Sequence, residues 1–387
     1  MKKIIYLDVA GSISTVRPAE RKIFFDILPS RNYQVFALLK DQVKQYKKEN
    51  IIQIDCSSKT DLDFYKNIFK SIKNILIEHN INYIVVRNNL WLGLIVLLIQ
   101  NISNTKRIFI RAFPSELLRI HNSQKHNFLK KQLSIIKNRI LLLITDYVLK
   151  GFDIIFARSE EFSNNLSLRI NRKVFSLPMG FDTNWIINKE IKTPILRKLN
   201  PENKSIIGYI GAVDKGRNID FILNIFKGVF SLNTDSILGF IITESSIDEK
   251  TYVNSLIQKH GLQSKLNVLG PYTYADMPHL LSKMTATISP IPPIPPYLVS
   301  SPTKAVESIG LGVPVVGNME IKDQEFIING SGCGICVKYD VADFVNGIQT
   351  ILLHPEKEKM AQNGISFINK YRTYEKITDH FESVIVQ

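Results

Sequence analysis

The stretch SSPTKAVESIGLGVPVV, residues 300–316, packs a helix start, a cation, a carboxylate and a buried strand into a short span. Ser301 as N-cap, Pro302 in the first helical position and Thr303 and Lys304 behind it predict a helix tip with unpaired backbone N–H groups. Such a tip attracts an anion through its free donors and the helix dipole, and Lys304 adds a formal charge at its mouth. Glu307 falls three residues later on the same face, one turn deeper. Gly310 and Gly312 end the helix, and Val313 to Val316 read as a buried strand. A phosphate at the tip, with a carboxylate beyond it to accept hydroxyl hydrogens, is what the ribose and diphosphate of a nucleotide require. An ordinary capped helix with a surface Lys–Glu pair is equally compatible with these residues alone.

A second cationic loop supports the ligand reading. Ser205 to Val213 (SIIGYIGAV) reads as a strand containing Gly211, and Lys215 and Arg217 flank Gly216 just before a helix beginning near Ile219. Taken singly these are solvated loop charges. If both loops face one edge of the same sheet, two basic groups and a helix dipole converge on one diphosphate.

Elements of helix length separate short apolar strands along the whole chain, the mark of a doubly wound parallel α/β fold. In the first half the strands are Lys3–Val9, Tyr33–Leu39, Tyr83–Val86, Arg107–Ile110 and Asp153–Ser159. Helices are expected over Pro18–Leu28, from Asp61 to about His79, from Leu90, and over Glu160–Leu168. Gly11 follows the first strand, where a ligand can approach the backbone closely, but it lacks the glycine partners of a dinucleotide fingerprint. Residues 184–203 have the composition of a linker, which divides the chain into domains 1–185 and 186–370. In the second half, Pro290–Pro302 holds six prolines and is expected to be extended, delivering the chain to the Ser301 helix. A last helical region runs from Glu356 to Val386.

At 387 residues and 45% hydrophobic, the chain is too long for one core. Residues 1–150 hold 25 Lys and Arg against 11 Asp and Glu, whereas residues 151–387 balance at 24 each. The excess is densest at 101–150, where Lys and Arg alternate with Leu, Ile and Phe. A basic amphipathic helix of this kind suits an anionic membrane surface, and a solvated basic face is its plain alternative. No nucleic-acid motif accompanies the charge, so nucleic acid is not expected as a partner. Three cysteines exclude a disulfide framework, and Cys333 and Cys336 have no second pair or nearby histidine to complete a metal site. The opening MKKIIYLDVA is a first strand interrupted by Asp8, not a signal peptide, and the apolar run from Leu90 is too short to span a bilayer. A cytoplasmic protein, peripheral at the inner membrane face, is expected.

Together these pieces resemble the GT-B glycosyltransferases, two Rossmann-like domains facing each other across a cleft, and within them the retaining family 4. The residues that carry the resemblance are FDIIFARS and LPMGFD between Phe152 and Asp182, GYIGAVDKGR, LGPYTYADMPHLL and SPTKAVESIGLGVPVV. The resemblance implies a nucleoside diphosphate sugar donor held by the second domain and a saccharide or lipid-linked acceptor held by the first. It also implies retention of configuration, no cofactor and no metal, and a C-terminal helix from Tyr371 that crosses back to complete the first domain. By position, Glu307 resembles the carboxylate that grips the donor ribose. Lys304 with Ser301 and Thr303 resembles the diphosphate contacts, Lys215 and Arg217 the basic pair that stabilises the leaving group, and Tyr272 a neighbour of the base. The family often keeps another carboxylate eight positions before Glu307. Val299 stands there, so the loop at Ser300 must contact the donor sugar instead. No match to the family's first-domain histidine is found; FIRAFPSE occupies its place, leaving Arg111 or Ser115, with Gly11, to shape the acceptor side. A sugar-nucleotide epimerase of the same fold and a non-catalytic partner subunit are the alternatives.

Overall fold

The computed structural model describes residues 1–10, 12–40, 48–58, 60–99, 104–123, 128–188, 200, 204–213, 215–232, 236–242, 247–270 and 272–387. The chain divides into two compact units, Met1–Pro178 with Tyr374–Gln387, and Met179–Thr373.

In the first unit, β1 (Lys2–Leu7), β2 (Tyr33–Leu39), β3 (Ile51–Asp55), β4 (Tyr83–Arg87), β5 (Lys106–Arg111), β6 (Ile154–Ala157) and β7 (Phe175–Ser176) form one sheet in the order β3-β2-β1-β4-β5-β6-β7. All these pairings are parallel. Helices therefore cover both faces, which is why the strands read as continuous apolar runs rather than alternating ones. Strand β3 is absent from the sequence reading: IIQID is short, and its partial burial gives no clean period. The helical stretch Pro18–Ser30 contains a π-helical turn over Arg21–Ile27. The helix Tyr374–Val386 completes this core, with Phe381 packed edge-on against Phe24 and tilted against Phe156 at centroid distances of 5.3 and 5.2 Å. Burying a side chain of that size contributes about 1.5–3 kcal/mol.

In the second unit, β8 (Ser205–Ile210), β9 (Ile237–Ile242), β10 (Leu266–Leu269), β11 (Ala286–Ser289), β12 (Val315–Asn318) and β13 (Gly334–Val337) form a parallel sheet in the order β10-β9-β8-β11-β12-β13. Strand order reverses between β8 and β11, so the loops leaving these two strands flank the point where open α/β sheets bind ligands. Two apolar clusters cover the two faces of the sheet.

Three expectations about elements need correction. The chain passes between units at Pro178/Met179 because Phe181 and Trp185 pack into the core of the second unit. Pro290–Pro302 is not extended throughout: Pro295–Leu298 forms one helical turn, which prolines at its start favour. The last helical region breaks at Arg372 and Thr373, giving separate helices Lys357–Tyr371 and Tyr374–Val386.

Candidate functional site

The helix expected at Ser301 spans Thr303–Gly310 and carries its most buried residues from Ala305 onward. Pro302, not Ser301, is the N-cap, and no side chain caps the tip. Ser301 is drawn off by a better partner: its hydroxyl donates to Asp323 Oδ2 at 2.6 Å and accepts the Met179 N–H at 2.9 Å. Val306 N–H donates to Pro302 O at 3.2 Å, so the turn formed by Thr303, Lys304 and Ala305 directs its amides outward along the axis. Leu311 follows as C-cap, and Gly312 takes a positive φ of 78°, the left-handed conformation that closes a helix without a side-chain penalty.

Glu307 is buried at 2% exposure, and Lys304 Nζ lies 2.9 Å from its Oε2. The pair joins the surface to the interior: the lysine stem is partly exposed while the carboxylate sits one turn below. An ammonium has three donors, so this contact leaves capacity for a ligand oxygen at the mouth.

The loop after β8 reaches the same neighbourhood. Lys215–Arg217 forms a single 3₁₀ turn, and the Arg217 guanidinium lies over the Tyr297 ring at 4.9 Å from its centroid. Tyr297 belongs to the short helix two residues before Val299, and its carbonyl accepts the Ser300 N–H at 3.0 Å. Arg217 and the Ser300–Lys304 turn are thus brought together through one aromatic ring. Asn218, with a positive φ of 52°, ends the turn and donates to the Tyr339 hydroxyl at 3.3 Å. Gly211 is required by its neighbour: a Cβ there would stand 2.9 Å from the Tyr209 hydroxyl, which folds back to donate to Ala212 O at 2.9 Å. Tyr272 packs against the apolar cluster, and burial raises its pKa, with Asp276 adding to the shift. Val299, eight positions before Glu307, is 8% exposed.

Asp323, which the sequence reading did not single out, anchors this helix tip. Besides Ser301 it holds Arg372 in a buried ion pair, and the Arg372 carbonyl accepts the Phe181 N–H at 2.7 Å. One carboxylate therefore ties the helix tip to both ends of the second unit, Met179–Phe181 and Arg372–Thr373. Only a distant spacing links these residues in sequence, so no local pattern could have pointed to them.

In the first unit, Arg111 ends β5 and is buried against Glu116, while its Nη1 donates to Asn88 Oδ1 at 3.2 Å. Burial lowers its pKa and the Glu116 carboxylate works against that shift. Its charge is thus matched inside the fold. Ser115 opens the helix Ser115–Ser123, its N–H donating to Phe113 O at 3.0 Å. Gly11 lies outside the described residues. A second group, also missed from sequence, collects at the carboxyl ends of β1, β4 and β6: Arg87 and Arg158 both pair with buried Glu20 from the first helical segment, and Arg87 also reaches buried Asp8. Tyr6 donates to Asp8 Oδ2 at 3.1 Å, and its pKa is raised, first by burial and then by that carboxylate. Cys333 is buried and Cys336 half-buried, both as free thiols. Among the described residues no group of three His, Cys, Asp or Glu is placed to hold a metal ion.

Residues 192–367 match the family model described as glycosyl transferases group 1. No curated protein matches the chain in sequence. Solved structures do match in fold. Sucrose-phosphate synthase from Thermosynechococcus elongatus is 14% identical, with a TM-score of 0.71 over 99% of this chain and 98% of that one. HepE from Anabaena, solved in complex with UDP and glucose, is 14% identical, with a TM-score of 0.71 over 100% of each chain. WaaG, described as a glycosyltransferase involved in lipopolysaccharide biosynthesis, is 14% identical, with a TM-score of 0.67 over 99% of each chain. The fold is that of the GT-B glycosyltransferases. The stretch that matches the group 1 glycosyl transferase model falls within the second unit.

Proposed function

We propose that the chain is a retaining, metal-independent glycosyltransferase that moves a sugar from a nucleoside diphosphate sugar to a saccharide or lipid-linked acceptor. The acceptor is presented at the cytoplasmic face of a membrane, in the synthesis of a surface polysaccharide or glycolipid. The observation that carries the donor half is the seating of Arg217 over Tyr297, whose carbonyl holds the Ser300 N–H just before the Thr303 helix, at the strand-order reversal of the second sheet. HepE, of the same fold, was solved with UDP and glucose, which adds support for a nucleoside diphosphate.

In this reading the diphosphate rests on the amides of Thr303 and Lys304, and Glu307 accepts the ribose hydroxyls. The bond between the anomeric carbon and the diphosphate oxygen breaks as the acceptor oxygen bonds to that carbon, and the acceptor proton passes to the departing oxygen. Negative charge grows on the leaving diphosphate, and Arg217, Lys215 and Lys304 neutralise it. A net charge of +14 confined to residues 1–150, together with WaaG as a structural neighbour, supports an acceptor at an anionic membrane.

Thermal-shift screening of nucleoside diphosphates and their sugars tests the donor half directly. The wild type should be stabilised by one base. Glu307→Gln should weaken that donor about tenfold to a hundredfold, the loss of hydrogen bonds to a charged acceptor. Unchanged donor affinity in this variant would remove Glu307 from the site.

A further inference from the structure

We infer that the helix Phe128–Lys150 lies in the interface of an anionic lipid bilayer, with its apolar stripe inserted among the acyl chains. The inference deepens the membrane part of the function proposed above and rests on it. Up to Tyr147 this helix is reversed relative to an ordinary surface helix. Its inward face buries Asn138, Thr145 and Asp146, with Val148 and Leu149 only in its last turn; Thr145 donates to Leu141 O at 2.8 Å, and Asp146 pairs with Arg169 at 2.8 Å. Its outward face exposes Leu129 (75%), Leu133 (68%), Ile136 (54%), Ile140 (52%), Leu143 (69%) and Tyr147 (76%). At 100° per residue these six fall within an arc of about 80°, a single stripe down the helix. A soluble surface has no reason to spend its largest apolar side chains this way.

The charges name the occupant. Lys130 and Lys137 border the stripe on one side and Arg139 and Lys150 on the other, all exposed. The one acidic residue of the helix, Asp146, is buried and paired. Cations on both margins of an apolar stripe match an interface where alkyl groups enter the acyl layer and ammonium groups stay at the phosphates. They would repel a second copy of the same helix. Trp91 and Leu98 are also exposed on Leu90–Leu98, a helix that packs against this one. Among the described residues no helix is long and apolar enough to cross a membrane, so this one is read as lying in the interface plane.

The test is flotation of the full-length chain with vesicles of phosphatidylglycerol and phosphatidylethanolamine, and with neutral phosphatidylcholine vesicles. The wild type should bind the anionic vesicles. Leu133→Glu with Ile140→Glu should weaken that binding at least about tenfold while leaving the thermal shift with nucleoside diphosphate intact. Wild-type binding by the double variant would overturn the inference in favour of a purely electrostatic contact, and no wild-type binding to any vesicle would overturn it outright. A salt-resistant dimer in light scattering that the same substitutions dissolve would assign the stripe to a second copy instead. Vesicle binding without any nucleotide shift would fail the donor reading and leave the membrane face standing.

Discussion

Arg217 owes its position to Tyr297. A guanidinium over an aromatic face is held by the ring quadrupole and still keeps its N–H fork free in its own plane. That makes it a preorganised partner for an oxyanion, and Arg217→Ala should lower kcat about a hundredfold with little change in KM for the donor. Steady-state kinetics with the donor found by screening would check this, and a change confined to KM would mean that Arg217 only binds. At this scale the sequence was informative for charge and poor for partners. The pairing of Lys304 with Glu307 on one helix face was legible because helix spacing is local. The role of Ser301 was misread because Asp323, a distant residue, outcompetes the helix amides for its hydroxyl.

Among the elements, the helix Thr303–Gly310 sits where it does because Gly310 has no side chain. A Cβ there would approach the Phe181 ring to 2.5 Å, and that ring is itself packed edge-on against Trp185. Gly310→Ala should therefore destabilise the protein by about 1–3 kcal/mol, the usual cost of forcing an extra methyl into a filled core. A drop in the urea midpoint measures it, and an unchanged midpoint would show that the ring has room to turn. The elements that sequence reading missed share one cause. Strand β3 has too few residues for a period to be counted, and the turn Pro295–Leu298 hides in a proline run because proline suits a helix start as well as an extended chain. The long helix Phe128–Lys150 was legible as basic and amphipathic, but not that it buries Asn138, Thr145 and Asp146 while its leucines face outward.

Across the molecule, buried acids of weak intrinsic strength tie stability to alkaline pH. Burial pushes the Cys333 thiol from 9.0 up to about 12. Its proton is then held in the folded chain where the unfolded chain releases it, so the stabilisation is whole below pH 9 and is lost as pH rises toward 12. Between pH 9 and 10.5 this one group should cost about 1–2 kcal/mol. Urea midpoints across that range should fall less steeply in Cys333→Ala than in the wild type; parallel slopes would show that the thiol does not contribute. Two-domain organisation was legible from alternation, length and the uneven charge. The crossing point was not, because residues 179–185 look like the end of one strand segment and are claimed by the apolar core that follows.

The return of Tyr374–Val386 to the first unit also sets an order of assembly. Phe381 and Ile385 fill a core whose strands begin at Lys2, yet all of Met179–Thr373 must leave the ribosome before they exist. At about 5–20 residues per second the first unit waits on the order of ten seconds or more with that side open. The unit begun first is the last to be finished, and chaperone contact during synthesis falls on the half of the chain that also carries the outward-facing leucines.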